Sequence, residues 1–331
     1  MNNIWKARKV LVTGAGGFIG SHLVENLVRS GATVRTFVRY NSRGDGGMLR
    51  QLDPTLLDQV EIVAGDLRDE DAVRKAVLGS QTVFHLGALI SIPYSYLHPV
   101  EVTSTNVIGT LNVLLASRDL GVERVIHTST SEVYGTAQSV PISEAHPLQG
   151  QSPYSASKIG ADKLAESFFC AYNLPVITVR PFNTFGPRQS GRAVIPTIIT
   201  QALTRDVVHL GNLDSTRDFT YIADTVSGFI KAAESADGLG EVFNLGTGEE
   251  IRIGDLANKI LGLVGRQVSI ETESGRMRPA RSEVMRLISD NRSARETLKW
   301  SPAFSLDKGL ELTIAWIRDH LDNYQIGKYE F

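Results

Sequence analysis

Val10-Leu11-Val12-Thr13-Gly14-Ala15-Gly16-Gly17-Phe18-Ile19-Gly20 decides the fold. The three leading apolar residues read as a buried strand, and Phe18 to Ser30 reads as a helix. Between them, Gly14, Gly17 and Gly20 supply a tight turn, close approach of backbone to a pyrophosphate, and close helix–sheet packing. The start of the helix offers N–H donors to an anion, so Phe18 and Ile19 join the glycines as candidate cofactor contacts.

Working outward, the same rhythm repeats. Strand patterns at Thr33 to Val38, Val60 to Ala64, Thr82 to His85, Arg124 to Thr128 and Val176 to Val179 alternate with helical patterns. The helical patterns cover Met48 to Leu57, Asp69 to Leu78, Glu101 to Leu120 and Tyr154 to Asn173. Repeated βα units with apolar strands predict a doubly wound α/β fold: a parallel (Rossmann) sheet buried on both faces. After Pro181 the segments shorten, and Arg188, Arg192, Arg217, Arg276, Arg278 and Arg281 appear in loops, which suggests a smaller, irregular lobe that binds an anion. Ile222 to Ala236 and Val242 to Leu245 still read as a helix and strand that rejoin the sheet. The expected division is residues 1–180 plus about 222–247 for the dinucleotide-binding domain, and 181–221 with 248–331 for the substrate lobe. Gly44 to Gly47 is the stretch with the most flexible composition.

Composition narrows the class. The chain has 331 residues, 42% hydrophobic and 21% charged, and a formal net charge of −2. That balance gives no polycationic footprint for nucleic acid or an anionic membrane. No apolar run spans a bilayer, and the N-terminus lacks a signal-peptide pattern, so a cytoplasmic protein is expected. The single cysteine, Cys170, is read as core filler beside Phe168 and Phe169, and the seven histidines show no metal-like spacing.

The end of the second strand faces a cofactor's adenosine ribose, where an acid would favour NAD. Val38-Arg39-Tyr40-Asn41-Ser42-Arg43 instead carries arginines, and Arg39, with Arg43, favours a 2′-phosphate and hence NADP. Asp66 and Leu67 follow the third strand at the adenine edge. Leu86 and Ala88 follow the fourth, where small residues let backbone approach the cofactor.

Ser129-Thr130-Ser131-Glu132-Val133-Tyr134-Gly135 ends the fifth strand, and Tyr154-x-x-x-Lys158 follows. Tyr154 and Lys158 are one helical turn apart, and the lysine charge, with that of an oxidised nicotinamide, is expected to lower the tyrosine pKa. Thr130 would hydrogen-bond the same substrate oxygen. Glu132 is not needed for simple hydride transfer, but it suits an enzyme that oxidises one carbon and then removes a proton from its neighbour. Arg217 and Arg278 are candidates for a diphosphate clamp, with surface salt bridging as the alternative.

These residues, together with Asn106-Val107-Ile108-Gly109-Thr110, Arg180-Pro181-Phe182-Asn183 and Arg217-Asp218-Phe219, resemble the extended short-chain dehydrogenase/reductases that act on nucleotide sugars. Within that family Glu132 resembles the 4,6-dehydratases. Ser131 stands where the dTDP-glucose branch has aspartate, which is similar to the GDP-mannose branch. Ser129 to Gln138, Gln149 to Ser167 and Pro181 to Thr200 resemble the 4,6-dehydratases of legionaminic acid biosynthesis. The resemblance implies a GDP- or UDP-linked N-acetylglucosamine and a tightly bound NAD(P). That subgroup is usually labelled NAD-dependent, in conflict with the reading of Arg39. It also implies cofactor contacts from Asn106, Thr128, Tyr154, Lys158 and Pro181, and substrate contacts from Asn183, Arg192, Asn212, Arg217, Arg278 and Glu283. The catalytic set would be Thr130, Ser131, Glu132, Tyr154 and Lys158.

Three alternatives stay open: a sugar-nucleotide 4-epimerase, a UDP-glucuronate-type decarboxylase, and a dinucleotide-binding regulator without catalysis. Apolar residues on more than one side of 101–120 (Val107, Leu111, Leu114, Leu115) and of 154–173 (Ala161, Leu164, Phe168) predict a homodimer through a four-helix contact.

Overall fold

The computed structural model describes residues 4–42, 44–277, 279 and 281–324. Arg43 and Arg278 lie outside the described residues.

The sheet strands are β1 (Lys9–Thr13), β2 (Thr33–Arg39), β3 (Val60–Gly65), β4 (Thr82–His85), β5 (Arg124–Thr128) and β6 (Val176–Pro181). The strand Val242–Leu245 adds a seventh on the β6 edge, and the spatial order from there is β6-β5-β4-β1-β2-β3. All pairings are parallel. The order reverses between β1 and β4, where Val10 pairs with Thr82, so a ligand crevice opens beyond their carboxyl ends.

Period-two alternation buries both faces. Val10, Val12, Phe84, Ile126 and Val179 pack with helix α1 (Phe18–Arg29) and helix Ile222–Glu234. Leu11, Val83, Val125 and Val176 pack with helices Glu70–Val77, Gly109–Asp119 and Pro153–Tyr172. The exception is β3, whose residues are half-buried or exposed because it is an outer strand. There the expectation of two buried faces fails.

Other local readings need correction. The helix expected over 48–57 is a 3-10 turn, Gly47–Gln51, followed by a four-residue helix, Pro54–Leu57. Pro54 disfavours a helical Asp53, which instead caps the second piece by accepting from the Thr55 amide. The segment 101–120 begins earlier, at Pro99, and passes through a π-helical turn, Ser104–Ile108. Leu114 is 1% exposed and belongs to the core under the sheet, so it cannot serve a subunit contact. Cys170 is exposed, on the side of its helix away from buried Phe168.

Helix Pro153–Tyr172 is the most firmly terminated. Ser152 and Ser155 form a reciprocal capping box, Pro153 occupies the first turn, and Asn173 closes the far end in the left-handed conformation. This fixes Tyr154 on the first turn and Lys158 one turn further on.

Beyond β6 the chain is more regular than the pattern predicts. Helices Val194–Thr204, Ile253–Val264 and Leu306–Asp319 share a core through Ile198, Leu256, Ile260 and Ile314. Small sheets join Asn183–Phe185 to Phe219–Tyr221, and Val207–Leu210 to Ser269–Thr272. No described helix is long and apolar enough to cross a membrane.

Candidate active site

The glycine loop explains its own composition. Gly14 has φ +69°, and a Cβ there would lie 2.7 Å from the Gly87 nitrogen. A Cβ at Gly20 would lie 2.4 Å from the Gly14 carbonyl oxygen, so α1 packs on the loop only without one. Gly17 caps α1 with no side-chain hydrogen bond, which leaves the helix's first N–H groups available to an anion. The stretch 44–47 is tied down. Met48 donates its amide to Gly16 O at 2.9 Å, and Asp45 Oδ1 accepts from the Gly47 amide at 2.7 Å.

A cavity of about 580 Å³ runs from this loop to the end of β5. Its walls include Gly14, Gly17, Phe18, Ile19, Gly20, Arg39, Leu86, Ala88, Thr128, Thr130, Ser131, Glu132, Tyr154, Pro181 and Asn183. A side recess lined by Arg39, Asp66, Leu67 and Thr105 opens where an adenine would lie. The Thr128 hydroxyl is buried without a partner, and the α1 amides are uncapped. These unsatisfied groups and the glycine cradle fit a dinucleotide.

Not every expected contact lines the cavity. Asn106 is buried behind it, accepting from the Leu89 amide at 2.8 Å and donating to Leu89 O at 2.9 Å. It shapes the backbone beside the cavity. Both oxygens of Asp66 are held by Arg68, at 2.9 and 2.5 Å, which keeps its carboxyl down near pKa 2. Arg39 meets Glu101 at 3.1 Å, and Glu101 also accepts from the Tyr94 hydroxyl at 2.6 Å.

The reactive groups meet at the end of β5. Ser131–Tyr134 forms a 3-10 turn, with the Thr130 hydroxyl accepting from the Glu132 amide at 3.2 Å. Tyr154 is buried, and burial pushes its pKa up, as does the nearby Glu132 carboxylate, while a hydrogen bond with Thr130 pulls it down. Lys158 donates to Thr128 O at 2.7 Å, and burial brings its own pKa down to about 8. Beneath it, Asp162 accepts from His127, Ser129 and Arg180, a network absent from the sequence reading. Tyr134 is structural: its hydroxyl accepts from Arg180 at 2.9 Å and donates to Asn244 at 2.7 Å.

A second cavity of about 360 Å³ shares Asn183, Thr184 and Gln189 with the first. It brings together Asn183, Arg192, Asn212, Arg217 and Glu283, and adds Arg276. Arg217 sits 3.3 Å from Glu283 and donates to the Thr216 carbonyl at 2.9 Å. Arg188 does not line either cavity; it is buried against Glu25 of α1 at 2.6 Å. Gln189 was missed, signalled only by its neighbourhood in an Arg-rich loop region, and Arg276 was read only as one of the loop arginines of an anion-binding lobe.

Fold and site together define a dinucleotide-dependent enzyme of nucleotide sugars. The chain belongs to the GDP-mannose 4,6 dehydratase family, whose model matches residues 11–313. It is 34% identical to the UDP-glucose 4-epimerase of Mycolicibacterium smegmatis, over 94% of this chain and 99% of that one. It is 30% identical to the dTDP-D-glucose 4,6-dehydratase of Mus musculus, over 96% and 91%. The dTDP-glucose 4,6-dehydratase DesIV of Streptomyces venezuelae, solved with NAD bound, superposes with a TM-score of 0.86 at 28% identity, covering 96% and 98%. The resemblance to extended short-chain dehydrogenase/reductases of the dehydratase type is thereby borne out.

Proposed function

We propose that this protein is a nucleotide-sugar 4,6-dehydratase. The observation that carries the reading is Glu132, set beside Thr130 and Tyr154 in one cavity wall. The decarboxylase alternative would need a cation at a sugar C5 carboxylate; Arg192 lines the adjoining cavity, which shares Asn183, Thr184 and Gln189 with this one. The resemblance points to GDP- or UDP-N-acetylglucosamine as substrate, with the diphosphate held by Arg217, Arg192 and Arg276. Arg278, Glu283, Asn212 and Asn183 complete the proposed nucleotide contacts.

Bound NAD(P) would accept hydride from C4 and return it to C6 within one cycle. The protein's own groups move the protons. Tyr154 Oη takes the 4-hydroxyl proton while Thr130 orients that oxygen. Glu132 removes the C5 proton, made acidic by the C4 ketone. Ser131, a water or Glu132 itself protonates the departing 6-hydroxyl; as hydride reaches C6, C5 takes back a proton, whose net source is the one Tyr154 accepted, and a 4-keto-6-deoxy sugar results. Incubating the purified protein with each candidate sugar nucleotide and weighing the product tests this. Loss of water supports it. Loss of carbon dioxide, an unchanged mass with inverted C4, or no reaction overturns it; the second would match the epimerase relative.

For the cofactor, we infer NADP preference through Arg39, in competition with Glu101 for its guanidinium. Arg39→Asp is expected to shift preference toward NAD by about 1–3 kcal/mol. Nucleotides released from denatured wild type settle the point, and NAD alone would refute it.

We also infer a homodimer through helices 101–120 and 154–173. With Leu114 in the core, the outward stripe is exposed Ile108 with half-buried Leu111, Leu115 and Leu164. Leu111→Glu is expected to yield monomer in light scattering and reduced activity. A fully active wild-type monomer at micromolar concentration would overturn the inference.

A further inference from the structure

Behind the proposed catalytic pair lies a buried cluster that the reaction scheme does not use. Asp162 stands one helical turn after Lys158 on the same helix. Its Oδ1 accepts from His127 Nε2 at 3.0 Å. Its Oδ2 accepts from Ser129 Oγ at 2.7 Å and from Arg180 Nε and Nη2 at 3.2 and 2.9 Å. Every member is at least nine-tenths buried. His127, in β5, and Ser129, just past its end, flank Thr128, whose carbonyl receives the Lys158 ammonium. Arg180 comes from β6, and its far edge donates to Tyr134.

A carboxylate taking this many donors without solvent is costly to bury unless its charge answers nearby cations. Two cations lie within the cluster, Arg180 and Lys158, against one anion. The groups facing Lys158 can be named from each packed element. Its own helix presents Asp162 and Tyr154. The end of β5 presents His127 and, beyond it, Glu132. The imidazole of His85 approaches from β4, while Arg180, from β6, reaches the carboxylate of Asp162. The neighbouring segment 104–108 contributes only the uncharged Asn106, bonded to Ser157 at 2.9 Å. Both histidines are held neutral by burial, so they leave the charge balance to Asp162, Arg180 and Lys158.

We propose that Asp162 is a positioning residue that keeps Lys158 charged on the Thr128 carbonyl, with Arg180 apportioning how much of its charge Lys158 receives. This rests on the reading of Lys158 as partner to Tyr154. Burial pulls the lysine pKa down and Asp162 draws it part of the way back, to about 8, so the ammonium is lost just above neutral pH. Activity that needs that charge therefore falls on the alkaline side.

The test reads the alkaline limb of kcat against pH, together with the ¹⁵N titration of Lys158 Nζ in the cofactor-bound protein, assigned with Lys158→Met. Asp162→Asn keeps the side-chain shape and removes the charge. It is expected to lower both the limb and the Nζ titration by about one pH unit. Arg180→Gln leaves Asp162 with one cation fewer and is expected to move both upward. A purely structural role would lower kcat at every pH and move neither midpoint. Should Asp162→Asn not fold, Arg180→Gln decides alone, and an unmoved Nζ midpoint overturns the proposal. If wild type and Lys158→Met share one pH profile, it is the reading of Lys158 that fails; a limb lost in Lys158→Met but unmoved in the other two variants overturns the role of Asp162.

Discussion

Glu132→Gln will leave the protein able to oxidise its substrate but unable to eliminate water. Product formation should fall about 10²–10⁴-fold, the range expected when a positioned general base is removed. Because the 4-hydroxyl proton goes to Tyr154 and not to Glu132, the first half of the cycle survives. The near-ultraviolet absorbance of reduced nicotinamide should then rise when substrate is added, and stay. The substitution is nearly isosteric and lies on a short 3-10 turn held by the hydrogen bond that the Glu132 amide donates to the Thr130 hydroxyl, so the fold should persist. Rapid water loss by this variant would remove Glu132 from the chemistry.

Tyr154→Phe is expected to fail earlier. The ring is buried, and the phenylalanine keeps its packing against Ile92 and Val102. What disappears is the hydroxyl that Thr130 engages. Turnover should drop about 10²–10⁴-fold, and no reduced nicotinamide should appear on adding substrate. The contrast carries the information: one variant stalls after oxidation and the other before it. A Tyr154→Phe variant that still reduced its cofactor would transfer the proton-accepting role to another group. Thermal stability should change by no more than about 1 kcal/mol, since only one hydrogen bond is lost.

Much of this site was legible because its signals are local. Gly14, Gly17 and Gly20 sit at spacings that steric contact enforces, and the strand and helix around them have short periods. Tyr154 and Lys158 are adjacent on a helix, so sequence spacing translates directly into space. The cavity accordingly gathers Thr130, Ser131, Glu132 and Tyr154, while Lys158 sits just behind. The unread parts depend on contacts far apart in the chain. Arg180 was visible within a motif, but nothing in the sequence says that it reaches Asp162 and Tyr134. Leu114 and Leu111 look alike in a helical pattern; only the packed sheet shows that one is core and the other half-buried. Arg188 and Arg192 share one loop region, yet one is held by Glu25 and the other lines the second cavity. Equal charge in a loop carries no direction until the neighbouring helix is placed.

The chain enters the region beyond β6, comes back with helix Ile222–Glu234 and strand Val242–Leu245 to complete the sheet, and leaves again. The two parts are therefore laced together by several covalent crossings instead of being hung from one hinge. Removing everything after residue 181 would also take off the outermost strand, and β6 would be left with bare peptide groups along its length. On the proposed reading, specificity would thus be retuned by point changes in the two cavities and not by trading one contiguous segment.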